Sequence, residues 1–184
     1  MQDISEEILA KASAGDLESF AALYKTTAGL VYNVALRIVN NREDAQEVTQ
    51  EVFLIIYHKL KSFRFESSFK TWVYRITANY AINFAKRESK NKTVEYDDNL
   101  MTETNDNDIQ SEIDQEHKKK MIEELLSAIN PEQRACVILR NLEGLSYQQI
   151  AETLQIKVNT VRSRLKRARE KLLLAGKKAV HGYL

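Results

Sequence analysis

The sequence predicts an all-α protein built from two small helical domains joined by a flexible acidic linker. Only one proline and five glycines occur in 184 residues, so few tight turns interrupt the chain. Apolar residues recur at three- and four-residue steps through most segments, which is the spacing of one helix face. A serine, aspartate or asparagine stands where several of these segments begin, as expected for helix N-caps.

The first half of the chain contains three long predicted helices. Asp16 is a suitable N-cap for the first, and Asn41 for the second. A break in the apolar pattern follows the second helix, and Ser67 or Ser68 can cap the third, which covers about residues 69–87. The apolar stripes of these helices predict one shared core.

An acidic segment separates the two halves. Residues 95–116 contain no lysine or arginine, few apolar groups and many acidic ones. Such a composition buries too little surface to offset the entropy of ordering. We therefore expect a linker at residues 93–116 between domains of residues 1–92 and 117–184.

The second half begins with an apolar stripe over residues 121–129 and continues with a helix that opens at Asn130-Pro131, where proline suits the first helical position. Ser146 and Gln149 then have the spacing of a capping box, which predicts a helix from residue 147.

A basic helix follows from about Thr160 after a short break. Its polar side is predicted to carry Asn159, Arg162, Ser163, Lys166 and Arg167. A short helix, a tight turn and a basic second helix form the helix-turn-helix pattern, in which the second helix enters the major groove of DNA. Gln155 occupies the turn position that often holds glycine, because a positive φ is needed there.

The charge distribution supports a nucleic-acid partner for the C-terminal end. The net charge is only +1, yet Glu170 is the sole acid between residues 157 and 178. A basic amphipathic helix can also be a solvated face or a surface for an acidic protein, and the sequence of this helix alone leaves these readings open.

Several function classes lack support in the sequence. No apolar run is long enough to span a bilayer, so membrane insertion is not expected. The N-terminus has no signal-peptide pattern, and the lone Cys136 suits a reducing compartment, so we expect a cytoplasmic protein. His58, His117 and His181 have no metal-ligand spacing, and no glycine-rich phosphate loop occurs. We expect no metal, no cofactor and no enzymatic activity.

Two further polar surfaces remain ambiguous on residue chemistry alone. One face of the second helix is acidic and polar, with Asp44, Glu47, Gln50 and Glu51. The outer side of the third helix is expected to expose, at least in part, Lys70, Tyr74, Arg75, Asn79 and Asn83. Cations, amides and an aromatic ring suit single-stranded nucleic acid. Both surfaces are also compatible with ordinary solvated helix faces.

Three motifs together carry a family resemblance. Residues 41–53, residues 67–76, and the pair of segments 145–151 and 160–165 resemble motifs of bacterial RNA polymerase sigma factors of the extracytoplasmic-function group, in the right order and spacing. The resemblance covers about residues 15–174 apart from the linker. It implies an alternative-type sigma factor that confers promoter specificity on core RNA polymerase and helps to melt DNA.

The resemblance also implies roles for individual residues. The acidic face listed above would dock on the β′ coiled coil of core polymerase, and the β flap is the other contact implied on the polymerase. The loop at residues 63–68 resembles the family's pocket for a flipped −10 base, although family members often carry glycine where Phe65 stands. The residues that would read the −10 element are Arg64, Ser67, Lys70, Tyr74, Arg75, Asn79 and Asn83. Those that would read the −35 element are Arg140, Asn159, Thr160, Arg162, Ser163, Lys166 and Arg167.

The implied partners are core RNA polymerase, promoter DNA in double- and single-stranded form, and an anti-sigma factor. Two other classes of protein remain as alternatives. A repressor or response-regulator output domain also uses a helix-turn-helix, but it would leave the N-terminal motifs unexplained. An adaptor that uses only its acidic helix would leave the basic face unexplained.

Overall fold

Residues 4–92 and 121–182 are described by a computed structural model, and this part of the chain contains eight helices and no strand. The all-α, two-domain prediction is confirmed. In chain order the helices are α1 (Glu6–Ser13), α2 (Leu17–Val39), α3 (Arg42–Leu60), α4 (Phe69–Lys92), α5 (residues 121–127), α6 (Pro131–Asn141), α7 (Tyr147–Leu154) and α8 (Val158–Gly182).

The predicted N-caps are confirmed. The Asp16 carboxylate accepts a hydrogen bond from the Ser19 N–H at 2.8 Å, and the Asn41 side chain accepts one from the Asp44 N–H at 2.9 Å. Full capping boxes start α6, at Asn130, and α7, at Ser146. Each cap satisfies donors that a helix start otherwise leaves without partners.

Three helices differ from the sequence prediction. The short helix α1 was not predicted; Ser5 caps it, and Leu9 and Ala12 are buried. Helix α4 extends past residue 87 to Lys92, and α8 starts at Val158 and continues to Gly182. The predicted linker at residues 93–116 lies outside the described residues.

The first domain packs around α2, which contacts α1, α3 and α4. Fully buried aliphatic side chains from these helices include Val31, Ile38, Val48, Ile56 and Val73. Removing each such side chain from water contributes roughly 1.5–3 kcal/mol before entropy is counted. This burial fixes the directions of α3 and α4, and therefore of their polar faces.

The second domain is smaller and packs α6, α7 and α8 together. Its buried residues include Ile138, Leu139, Ile150 and Val161. Cys136 is also buried, and burial raises its pKa to about 11, so it is an uncharged core thiol.

The two domains contact each other in this structure. Helix α6 packs against α2 and α4, and α7 packs against α4, so the buried residues form one continuous cluster. Among the described residues, no helix is both long and apolar enough to cross a membrane.

Candidate nucleic-acid and polymerase interfaces

The turn between α7 and α8 has the geometry of a helix-turn-helix. Helix α7 ends at Leu154, and the C-cap residue Gln155 has φ 54° and ψ 46° in the left-handed region. The positive φ predicted for this position is therefore confirmed. The Ile156 N–H then bonds to the Ala151 carbonyl at 2.9 Å, which closes the turn two residues before α8 begins.

Helix α8 has one buried and one exposed side. Val161 and Ala168 are fully buried against the rest of the second domain and fix the rotation of the helix. Thr160 is half-buried, whereas the other predicted α8 residues all lie exposed on the opposite side: Asn159, Arg162, Ser163, Lys166 and Arg167. This face is positively charged and open to a ligand.

Local hydrogen bonds organise the start of that face. An Arg162 guanidinium N–H donates to the Asn159 side-chain oxygen at 3.3 Å. The Ser163 hydroxyl donates to the Thr160 carbonyl at 2.9 Å. Arg162 is thus partly ordered, while Lys166 and Arg167 extend from the next turn.

Arg140 lies at the end of α6, close to the start of α7. Its guanidinium donates to the Leu145 carbonyl at 2.9 Å and lies 5.3 Å from the Tyr147 ring centroid. A cation over an aromatic face at this distance is attracted to it. Arg140 remains exposed and lines the same groove as Arg169 of α8, so it is adjacent to the basic helix.

The loop before α4 presents an aromatic ring to solvent. Phe65 has φ 56°, an uncommon conformation for a residue other than glycine, and 53% of its surface is exposed. Its ring packs 4.8 Å from that of Phe63, which also contacts Phe69 and Trp72. The positive φ agrees with the glycine that the resemblance places here.

The other predicted −10 residues differ in exposure. Arg64, Lys70 and Asn83 are exposed, whereas Ser67, Arg75 and Asn79 are half-buried. The Ser68 hydroxyl, rather than that of Ser67, accepts from the Thr71 N–H at 3.1 Å and caps α4.

Tyr74 was expected to face outward at least in part, and this expectation is wrong for the structure described. Only 2% of its surface is exposed, and its hydroxyl donates to a Glu143 carboxylate oxygen in the turn between α6 and α7. Burial, and then the Glu143 carboxylate, raise the pKa of Tyr74 well above its ordinary value, so the phenol is neutral. The apolar pattern of α4 gave no sign that the second domain covers this side.

The acidic face of α3 points away from the core of the first domain. Glu47 and Gln50 are exposed, and Asp44 and Glu51 are half-buried. Burial and the charge of Glu51 raise the pKa of Tyr80, which places this carboxylate near α4. The exposed Leu54 follows one turn after Gln50, so an apolar side chain adjoins the acidic groups.

Comparisons with known proteins match each of the two parts of the chain to a protein family model. The family model for sigma-70 region 2 matches residues 23–91, and the model for sigma-70 region 4 matches residues 119–172. The ECF RNA polymerase sigma-E factor of Haemophilus influenzae is 32% identical over 173 residues, covering 90% of this chain and 91% of that protein. The chain belongs to the extracytoplasmic-function sigma factors.

Other sigma factors give consistent matches. The ECF RNA polymerase sigma-E factor of Escherichia coli is 31% identical over 178 residues, covering 92% of this chain and 93% of that protein. The chain spans 61% of the length of SigE from Mycolicibacterium smegmatis, to which it is 31% identical over 163 residues.

Solved structures show the same fold at lower sequence identity. CnrH, in complex with the cytosolic domain of CnrY, has a TM-score of 0.66 at 20% identity and covers 96% of this chain and 99% of its own. The sigma factor RpoE of Bartonella quintana, in complex with the anti-sigma factor NepR, has a TM-score of 0.63 at 19% identity, with coverage of 87% and 98%.

Sequence reasoning missed the residues that join the two sigma regions, above all Glu143. This glutamate lies in a short turn and carries no motif signal of its own. Gly144, with φ 70°, follows it and turns the chain toward α7. Only the structure relates this glutamate to α4, through its contacts with Tyr74 and Lys70.

Proposed function

We propose that this sigma factor binds core RNA polymerase and directs promoter-specific transcription initiation. The observation that best supports the proposal is the open basic face of α8, in a chain whose two parts match sigma regions 2 and 4. The proposed domains are residues 1–92 for core docking and the −10 element, 93–116 as the linker, and 117–184 for the −35 element. The protein acts as an initiation factor rather than an enzyme.

The proposed −35 contacts combine base reading and phosphate anchoring. Arg162, Ser163, Lys166 and Arg167 would enter the major groove with the start of α8, joined by Asn159, Thr160 and Arg140. An arginine can bond to two acceptors of a guanine edge, whereas lysine and serine reach bases or phosphates. The exposure and charge of this face support the assignment.

The proposed −10 contacts use the loop before α4 and one side of α4. Lys70 and Arg75 would pair with phosphates, and Asn79 and Asn83 would bond to base edges. Tyr74, which is buried in the structure described, would stack on a base only after the Glu143 turn moves away from it. Arg64 and Ser67 would border the flipped base. These contacts would stabilise the separated non-template strand and so assist melting.

The proposed partners follow the same division. Asp44, Glu47, Gln50 and Glu51 would dock on the β′ coiled coil, and the second domain would contact the β flap. This partner is cytoplasmic, and we propose the same compartment for the sigma factor. An anti-sigma factor is a further proposed partner, supported by the complex of the related fold RpoE with NepR.

Run-off transcription tests the proposed function. Purified core polymerase is mixed with fragments of genomic DNA, with and without the sigma factor. The expected result is a set of discrete transcripts that appear only when the sigma factor is present, and whose start sites share −10 and −35 sequences. Core polymerase that gives the same transcripts with and without the protein contradicts the proposal.

A further inference from the structure

Glu143 occupies two of the proposed single-strand contacts. Its carboxylate accepts a hydrogen bond from the Tyr74 hydroxyl, and the Lys70 ammonium nitrogen lies 3.8 Å from the same oxygen. Lys70 also lies 5.5 Å from the centroid of the Tyr74 ring. The Glu143 side chain is only 17% exposed and Tyr74 is buried beneath it, so a strand cannot reach the Tyr74 hydroxyl while Glu143 is there. The Lys70 side chain is 46% exposed, so Glu143 competes for its charge rather than covering it.

The position of Glu143 is fixed by the end of α6. The Glu143 N–H bonds to the Ile138 carbonyl at 3.3 Å, and the Leu145 N–H bonds to the Leu139 carbonyl at 2.9 Å. Gly144, with φ 70°, allows the chain to reverse between these two bonds. The carboxylate is therefore presented to α4 by an ordered turn.

Three other contacts hold the second domain on the first. The Asn79 amide donates to the Thr153 carbonyl of α7 at 3.2 Å, which occupies another proposed −10 residue. Lys86 pairs with Glu132 of α6 at 2.5 Å, and the Asn40 amide donates to the Glu123 carbonyl at 3.0 Å. Lys86 and Asn40 lie outside the proposed DNA contacts, so these two contacts affect only the closure of the domains.

The chemistry at Glu143 matches what a phosphate would offer. A phosphate group is an anionic oxygen acceptor that pairs with lysine and with hydroxyl donors, and the Glu143 carboxylate supplies the same kind of acceptor. The −35 face on α8, by contrast, remains exposed. The closed arrangement therefore engages Tyr74, Lys70 and Asn79 of one proposed DNA surface and leaves the other surface free.

We propose that Glu143 is an internal competitor for single-stranded DNA, and that the free sigma factor is held closed by this contact until its two domains separate. The proposal rests on the proposed −10 role of α4. The apparent affinity for a single strand is then reduced by the fraction of molecules that are open. Polymerase binding favours the open form, because the two domains must then reach separate promoter elements.

The main test is Glu143→Gln in the full-length protein. This variant keeps the size of the side chain and removes its charge. Binding to a fluorescently labelled pool of random-sequence single-stranded DNA should become about ten-fold tighter. This change corresponds to a loss of about 1.4 kcal/mol in the free energy that holds the two domains closed. Glu152→Gln is the matched control, because it makes the same charge change at an exposed position of α7 and should leave the affinity nearly unchanged.

A second pair of variants tests closure without altering a proposed DNA contact. Lys86→Glu places two carboxylates together and should increase the radius of gyration measured by small-angle X-ray scattering. Adding Glu132→Lys restores an ion pair of reversed polarity and should return the radius toward the wild-type value. Single-strand affinity should follow the radius in both variants.

The outcomes separate this proposal from the proposed function. If Lys86→Glu opens the molecule but Glu143→Gln binds single strands no better than Glu152→Gln, Glu143 is not a competitor. The proposed −10 role still stands in that case if the polymerase complex opens promoters. If neither the opened variants nor the polymerase complex contact single-stranded promoter DNA, the −10 role fails, and the competitor proposal fails with it.

Discussion

Replacing Arg162 or Arg167 with alanine distinguishes base reading from simple charge attraction. Both side chains are exposed within the first three turns of α8, away from the buried Val161 and Ala168. Neither contributes to the core, so the variants should fold normally. Any loss of binding can then be assigned to DNA contacts.

The expected loss can be estimated from the geometry. A bidentate arginine–guanine pair discriminates by about 1–3 kcal/mol, which corresponds to roughly 5- to 140-fold in affinity. The Arg162 guanidinium already bonds to Asn159 at 3.3 Å, so part of its ordering cost is met before DNA binds. If Arg162 reads a guanine, the loss of affinity caused by Arg162→Ala should therefore lie in the upper part of this range.

The assay is holoenzyme binding to a promoter series in which each −35 base pair is changed, at two or more salt concentrations. The loss for Arg162→Ala or Arg167→Ala should shrink when the contacted base pair is also changed. Arg169→Ala and Lys171→Ala are the matched controls. They should weaken all promoters alike and lower the salt slope by about 0.9 for each lost phosphate contact.

Equal losses on every −35 variant would refute base reading by Arg162 and Arg167. Specificity would then depend on Arg140, Ser163 or Lys166, or on DNA shape, which gives specificity without base contacts.

Three further predictions concern docking and the helix-turn-helix. Glu47→Lys should lower core-polymerase affinity at least about ten-fold in a pull-down, because it reverses a charge on the proposed docking face. Glu18→Lys, an equal charge change at an exposed position of α2, should leave that affinity unchanged. Gln155→Gly should raise the free energy of unfolding by up to about 1 kcal/mol in urea titration, because it relieves the left-handed conformation, whereas Gln148→Gly inside α7 should lower it by roughly 0.5 kcal/mol. Ser146→Ala should lower it by about 1 kcal/mol through loss of the cap. Opposite signs in these titrations would contradict the turn and cap assignments.

The sequence was sufficient for features that depend on local interactions. An N-cap depends on a side chain and a backbone N–H three residues later, so Asp16, Asn41 and Ser146 could be identified directly. The left-handed residue Gln155 was predicted because the turn of this motif needs a positive φ. The exposed face of α8 followed from the spacing of its apolar residues.

Features that depend on distant parts of the chain were not predictable in the same way. Tyr74 lies between apolar and polar neighbours on α4, so periodicity placed it at the edge of the core with an outward side. In the structure it is buried, and its hydroxyl donates to Glu143, which is separated by 69 residues along the chain. The helix α1 was missed for a different reason: with 8 residues it is too short for a clear periodic pattern, although Ser5 provides a cap.

We propose that this sigma factor reads both promoter elements only as part of the polymerase. Footprinting on a promoter found by run-off transcription tests it directly, with the protein alone, with core polymerase alone and with both. The predicted result is protection of the −35 and −10 elements, with permanganate-reactive thymines near −10, only when both proteins are present. Full protection of the site by the protein alone, unchanged when core polymerase is added, would contradict the account and indicate a repressor.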